Sequence, residues 1–242
     1  MPLNYEEVSI EVNSCNITGT FIMPQRDPVP GILFVHGWGG SQEQCLPQAR
    51  AVAELGCACL TLELHGHGRT KDQCGIVSRQ DNLRDTIAGY DFLASRPEVN
   101  PLAIGAIGTS YGAYLAAILT GLRSVCRLAL QAPAIYRDTD WILPKIKLHE
   151  DPELALYRRR VVSHSDNRAL RACAAYRGDV LIIESEFDAI VPHPVAQSYA
   201  AACAKARSFR SCVIANADHA LSEERWRCEY TSVLTSWISD TS

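Results

Sequence analysis

Gly108-Thr109-Ser110-Tyr111-Gly112 lies between two segments of opposite character. Before it runs Leu102-Ala-Ile-Gly-Ala-Ile107, short and apolar, the pattern of a buried strand. After it runs Tyr111-Gly-Ala-Tyr-Leu-Ala-Ala-Ile-Leu-Thr120, rich in Ala and Leu and ended by Gly121, the pattern of a helix. A G-x-S-x-G pattern at a strand-to-helix turn holds its serine in a strained backbone conformation, with the hydroxyl exposed at the end of a sheet. The two flanking glycines answer a steric demand, since a Cβ at either place would clash across the tight turn. Five residues with three fixed positions also arise by chance in loops, so the reading rests on the flanking strand and helix.

Outward from this turn the chain alternates strands and helices. Tyr5–Val12 and, less regularly, Ile17–Met23 alternate apolar and polar residues about Asn13-Ser14-Cys15-Asn16, which predicts an antiparallel hairpin. Gly31–Val35 reads as a buried strand, Gln42–Leu55 as a helix and Cys57–Leu64 as the next strand. Ser78–Ser95 reads as a helix with Leu83, Ile87, Tyr90 and Leu93 on its apolar face. Beyond the turn come strands at Val125–Leu130, Val180–Glu184 and Arg210–Ala215, and helices at Val195–Ala206 and Ser222–Ser239. The rhythm predicts an α/β fold: a mostly parallel central sheet with an N-terminal antiparallel hairpin and helices on both faces. Residues 134–172 show no strand and are expected to form a short cap insertion within a single domain, 1–242. A helical excursion with no substrate role is the competing reading of that stretch.

Composition narrows the classes. The 242 residues are 47% hydrophobic, enough for a well-buried core, and a net charge of −4 argues for neither a nucleic-acid nor an anionic-membrane partner. The ten cysteines mostly sit singly in apolar runs or helical stretches, with no C-x-x-C pair, and the first residues lack the pattern of a signal peptide. Reduced cysteines and a cytoplasmic location are therefore expected. No apolar run approaches the roughly 18 residues of a membrane span. The sequence sets no oligomeric state.

A serine hydroxyl needs a base, and the base needs an orienting acid. In the order Ser, acid, His, both partners follow residue 110. His149 and His164 fall in the expected cap, and His193 sits between two prolines at a helix start. His219 follows the strand Arg210–Ala215 by a short loop and is the preferred base. The acid should follow Val180–Ile183, where Glu184, Glu186 and Asp188 stand; position favours Asp188, with Glu186 its nearest rival. Acyl transfer also needs two donors for a developing oxyanion. The N–H of Tyr111 is one, and the loop His36-Gly37-Trp38-Gly39-Gly40-Ser41 offers Trp38 as the other. His36 precedes the serine and is expected to brace that loop. Trp38, Tyr136 and Trp141 are candidates for an apolar pocket wall.

These segments together resemble the α/β-hydrolase superfamily, in particular small serine esterases and dienelactone-hydrolase-like enzymes. The resemblance rests on His36-Gly-Trp-Gly-Gly40, Leu64-His-Gly-His-Gly-Arg69, Gly108-Thr-Ser-Tyr-Gly112, Asp188-Ala-Ile-Val-Pro192 and Ala217-Asp-His219, and it spans roughly residues 5–239. It implies Ser110 as nucleophile, His219 as general base, Asp188 as orienting acid, and backbone N–H groups of Trp38 and Tyr111 as the oxyanion site. It also implies a small-molecule ester substrate and no cofactor. The Asp-x-x-Val-Pro pattern resolves the choice between Glu186 and Asp188. Two departures stand out: Ser185 and Glu186 where a glycine is common before the acid, and Glu63 and His65 where the loop often begins with Asp. Dienelactone hydrolases proper carry a cysteine nucleophile, so Ser110 argues against that activity. His65-Gly-His67 lacks a third ligand at a recognised spacing, so no metal is expected. Gly37-Trp-Gly-Gly-Ser41 is not a dinucleotide-binding pattern.

Overall fold

The computed structural model describes residues 2–13, 15–25, 28–139, 141–149 and 151–240. Ser14 of the expected hairpin turn and residues 140 and 150 of the expected cap lie outside that set, as does the side chain of His149. Eight strands form one sheet: β1 (Leu3–Val12), β2 (Cys15–Pro24), β3 (Val29–Val35), β4 (Ala58–Leu62), β5 (Val99–Thr109), β6 (Arg127–Gln131), β7 (Asp179–Ser185) and β8 (Ser208–Ile214). Their spatial order is β1-β2-β4-β3-β5-β6-β7-β8. β1 pairs antiparallel with β2, and β2 with β4; every later pairing is parallel. The direction of winding reverses between β3 and β5. Open α/β sheets leave a crevice at such a switch point, outside the carboxyl ends of the strands.

Period-2 alternation divides the sheet between two cores. Leu33 and Val35 of β3 face one side, with Leu60, Leu128 and Ile182. That side is covered by α2 (Arg79–Ser95), α3 (Tyr111–Leu119), α5 (Arg168–Ala175) and α6 (His193–Ala202). Ile32 and Phe34 face the other side with Ile107, Ala129 and Leu181, under α1 (Leu46–Glu54) and α7 (Glu224–Asp240). Helix α3 is buried at every one of its residues, which explains its small and apolar composition. The stretch 134–172 carries no strand in its described residues; it holds α4 (Pro152–Arg158), two short 3-10 turns and the start of α5.

Several element ends depart from the sequence pattern. The expected helix from Gln42 begins as a 3-10 turn, Gln42–Cys45, and becomes α-helical only where Pro47 occupies its first turn. β5 starts at Val99, but its register with β3 jumps between Pro30 and Gly31, stepping past residues 101–103. Pro101 has no N–H for the ladder, and Leu102 is exposed. Helix α3 ends in 3-10-type bonds, Gly121 N–H to Ile118 O and Leu122 N–H to Leu119 O, without a left-handed glycine. In α2 the buried stripe is Arg79, Asn82, Asp85, Thr86, Gly89, Tyr90 and Leu93, whereas Leu83 and Ile87 are only half-buried. Its first two turns bury polar groups because each has a partner. Asn82 Nδ2 donates to His65 O, Thr86 Oγ1 to Asn82 O, and the Arg79 guanidinium to the carbonyls of Arg137 and Thr139. All ten cysteines are unpaired.

Gly112 is fixed by contact. A Cβ there would lie 2.1 Å from Val35 O and 2.5 Å from His36 O, so α3 approaches β3 too closely for any side chain. Gly112→Ala is expected to destabilise the fold by at least about 2 kcal/mol through overpacking. Gly75→Ala, where a Cβ meets nothing within 4 Å, should stay within about 0.5 kcal/mol. Chemical denaturation of both variants checks the difference.

Candidate active site

The carboxyl ends of β3 and β5 bring the glycine-rich loop and Ser110 together at the switch point. Ser110 has φ 52° and ψ −110°, the strained turn that the G-x-S-x-G pattern implies. A Cβ at Gly108 would lie 2.4 Å from Gly112 O and 2.5 Å from Ala113, a clash across the turn. The Gly112 clash is instead with the neighbouring strand. Backbone bonds lock the turn: Ser110 N–H donates to Gln131 O at 2.8 Å, and Ser110 O accepts from Tyr114 and Ala134 at 3.2 and 3.0 Å.

Loops after β7 and β8 deliver the other two groups. His219 Nε2 lies 3.0 Å from Ser110 Oγ, and His219 Nδ1 lies 2.6 Å from Asp188 Oδ2. The other Asp188 oxygen, Oδ1, accepts the N–H groups of Ile190 and Val191 at 2.8 and 2.7 Å. With Asp188 accepting from Nδ1–H, Nε2 is the lone-pair nitrogen and faces the serine hydroxyl. The two loops are laced together by Phe187 N–H to Ala217 O and Glu186 N–H to Ile214 O.

The rejected carboxylates have other partners. Glu186 Oε2 accepts the N–H of Asn216 at 2.7 Å and so steadies the loop that carries His219. Glu184 faces His193 Nδ1 at 2.8 Å, and this hydrogen bond raises the His193 pKa. Asp218 does not touch its neighbour's ring; it accepts from Ser222 N–H and Oγ–H, ahead of α7.

Trp38 and Tyr111 flank the serine. A Cβ at Gly37 would lie 3.5 Å from the Ser110 Cβ, so the loop after β3 sits directly against Ser110. Tyr111 is the first residue of α3, where a backbone N–H has no partner within the helix. The rings are pinned: Trp38 packs edge-on to Tyr111, and the Tyr111 hydroxyl donates to Asn82 Oδ1 at 3.1 Å. His36 is buried beneath the loop, with Nδ1 2.8 Å from Gly37 O and Nε2 accepting Leu64 N–H at 3.1 Å.

A cavity of about 470 Å³ opens beside Ser110 and His219. It runs between the sheet residues Phe34, Ile107, Thr109 and Gln131 and the helices α1 and α7, which contribute Gln48 and Tyr230. No described residue of 134–172 lines it. Of the three candidates for a pocket wall, Trp38 lines the cavity, whereas Tyr136 and Trp141 pack on the opposite side of the sheet, among Tyr111 and Tyr114. There Lys145, fully buried, places Nζ 4.6 Å from the Trp38 ring and 4.7 Å from that of Tyr136. Burial pushes the Tyr136 phenol up, but Lys145 and Arg158 outweigh it and leave its pKa lowered. A charged residue within an otherwise unpatterned stretch gives no sequence signal for this cluster.

The family described as serine aminopeptidase, S33, matches residues 26–171, more than half of the chain. This chain belongs to that family. The matched span holds the glycine-rich loop and Ser110 and ends before Asp188 and His219. Two uncharacterized proteins, from two strains of Mycobacterium tuberculosis, are each 27% identical over 180 residues, 74% of this chain. The match spans about 60% of those relatives' length. Among solved structures, Est1E from Butyrivibrio proteoclasticus, determined with ferulic acid, superposes with a TM-score of 0.75 at 15% identity, covering 97% of this chain and 98% of its own. A dienelactone hydrolase from Anabaena variabilis gives 0.70 at 17%, over 99% and 98%. The esterase domain of a Rhodothermus marinus protein gives 0.70 at 19%, over 98% of each chain. The fold is that of the α/β-hydrolase superfamily, and the matched family is one of hydrolases. No described helix is long and apolar enough to cross a membrane.

Under the glycine-rich loop of this family member lies a histidine pair without a sequence signal of its own. His67 is buried, its ring edge-on to Trp38 at 4.7 Å and to His36 at 4.9 Å. Its Nδ1 is 3.1 Å from His65 O, and its Nε2 has no partner. Burial, aided by His36, lowers its pKa to about 4 from an ordinary 6.5. Above pH about 6.5 neither state protonates it, and stability is complete. As pH falls from there towards 4 only the unfolded chain takes up the proton, so stability drains away, by about 3 kcal/mol in all. His67→Leu is expected to flatten that acid limb, read from urea midpoints between pH 7 and 4.5.

Proposed function

We propose that the chain is a serine hydrolase that cleaves carboxylic esters, or thioesters, through an acyl-enzyme. The observation that carries this reading is the continuous chain of contacts from Ser110 Oγ to His219 Nε2 and from His219 Nδ1 to Asp188. In this mechanism Ser110 Oγ attacks the ester carbonyl while His219 Nε2 takes the hydroxyl proton. The tetrahedral oxyanion is met by the N–H groups of Tyr111 and Trp38. His219 then returns the proton to the leaving alcohol, and the acyl group stays on Ser110. A water molecule, deprotonated by the same nitrogen, releases the acid and restores the serine. Asp188 keeps the imidazole tautomer and favours the imidazolium formed in both steps.

The family's description favours a second reading, hydrolysis of the amide at a peptide N-terminus. The same three residues would serve it. An aminopeptidase, however, must recognise a free ammonium, and among the described residues no Asp or Glu lines the cavity. The charged group there, besides histidines, is Arg227. That lining suits a neutral or acceptor-bearing ester better than a cationic amine. The esterase and ferulate descriptions of the structural neighbours agree with this choice.

Ser110→Ala is expected to lower kcat/KM for p-nitrophenyl acetate by about 10⁴-fold or more and to abolish labelling by a fluorophosphonate, with the fold intact by circular dichroism. Asp188→Asn should lose about 10⁴-fold in kcat by favouring the wrong tautomer, while Glu186→Gln should lose far less. Near-wild-type turnover in Ser110→Ala would sink the mechanism.

A further inference from the structure

The lining of the cavity beside Ser110 includes a buried side chain with an unpaired donor. Gln131 ends β6 and is 2% exposed, yet its amide nitrogen Nε2 is buried without a hydrogen-bond partner. An amide left so inside a protein is costly, and native structures rarely tolerate it without a reason. Two other polar side chains of the lining have partners. Gln48 Nε2 donates to Thr231 Oγ1, and Arg227 donates to the carbonyls of Leu221 and Ser222. Among the buried side-chain polar atoms that lack partners, Gln131 Nε2 alone belongs to a described residue of this cavity.

Its position is set by the elbow itself. Gln131 pairs with Thr109 across parallel strands, and its backbone carbonyl accepts the N–H of Ser110. Neighbouring strands run about 4.8 Å apart, so Gln131, which lines the cavity, stands one strand away from the end of β5 that carries Ser110. At about 30 Å³ per water-sized group, 470 Å³ accommodates an organic group of about fifteen non-hydrogen atoms. The surroundings, Phe34, Ile107, Cys45 and Leu221, are apolar.

We infer that Gln131 is a specificity-determining residue whose amide N–H donates to an oxygen acceptor on the substrate's acyl group, selecting acyl chains that carry a ketone, ether or hydroxyl oxygen over plain alkyl chains. This rests on the ester-hydrolase reading of Ser110. A buried donor discriminates strongly because an alkyl group leaves it unpaired in a dry site.

The test compares p-nitrophenyl 4-oxopentanoate with p-nitrophenyl 4-methylpentanoate, which puts a methyl where the ketone oxygen stands, and the 5-oxohexanoate with the 5-methylhexanoate. Each kcat/KM ratio is divided by the corresponding hydroxide-hydrolysis ratio to remove intrinsic reactivity. Wild-type protein should prefer one oxo ester at least tenfold. Gln131→Met, an apolar near-isostere, should reduce that preference at least fivefold. In a crystal structure of Ser110→Ala with the matching oxo acid bound, the ketone oxygen should lie within 3.2 Å of Gln131 Nε2. Equal corrected ratios in the wild type overturn the inference, as does a preference that survives in Gln131→Met. A bound acid whose ketone points elsewhere, with ordered water kept on Nε2, overturns it too. Failure of the underlying reading looks different: neither ester turns over, and a fluorophosphonate leaves Ser110 unmodified.

Discussion

The backbone of Ser110 is held at positive φ by its neighbours, and the rest of the site is arranged around that constraint. A non-glycine residue in such a conformation costs about 1–3 kcal/mol, so it persists only where the surroundings over-determine it. Here they do so from three directions. The end of β6 accepts the Ser110 N–H, Ala134 beyond β6 and Tyr114 of α3 donate to its carbonyl, and β3 presses on Gly112 from behind. The serine thus cannot relax without unpairing two strands or lifting a wholly buried helix. Rigid placement of this kind is what a reacting hydroxyl requires, since small displacements from attack geometry are expensive in rate.

Most of this was legible in the sequence because it depends on local stereochemistry. The glycines about Ser110, the apolar run before it and the Ala-rich run after it each answer a steric demand that only certain residues meet. The loop ends carrying Asp188 and His219 were legible for a related reason: each follows an apolar strand, and rigid strands deliver side chains to one edge of the sheet. Choosing Asp188 over Glu186 from position alone was less secure. The structure supplies the reason in the partners of Glu186 and Glu184, which are long-range contacts that spacing does not encode.

What stayed hidden lies in tertiary pairing of polar groups. The buried stripe of α2 is half polar, with Asn82 and Asp85 satisfied by the β4 loop, so hydrophobic periodicity pointed to Leu83 and Ile87 instead. Gln131 falls one residue past the expected strand Val125–Leu130. Lys145 lay within a charged stretch without periodic pattern, yet it is among the most buried side chains and faces three aromatic rings. Burying an ammonium is tolerated where aromatic faces and hydrogen bonds replace water.

The cavity wall is assembled from helices near opposite ends of the chain. Gln48 on α1 and Thr231 on α7 meet through a hydrogen bond although 183 residues separate them. Ser110 and the strands beneath it precede α7 in the chain, and α7 closes one wall of the cavity. During synthesis on the ribosome, Ser110 can be in place before that wall exists. Selectivity, unlike reactivity, is a property only of the finished molecule.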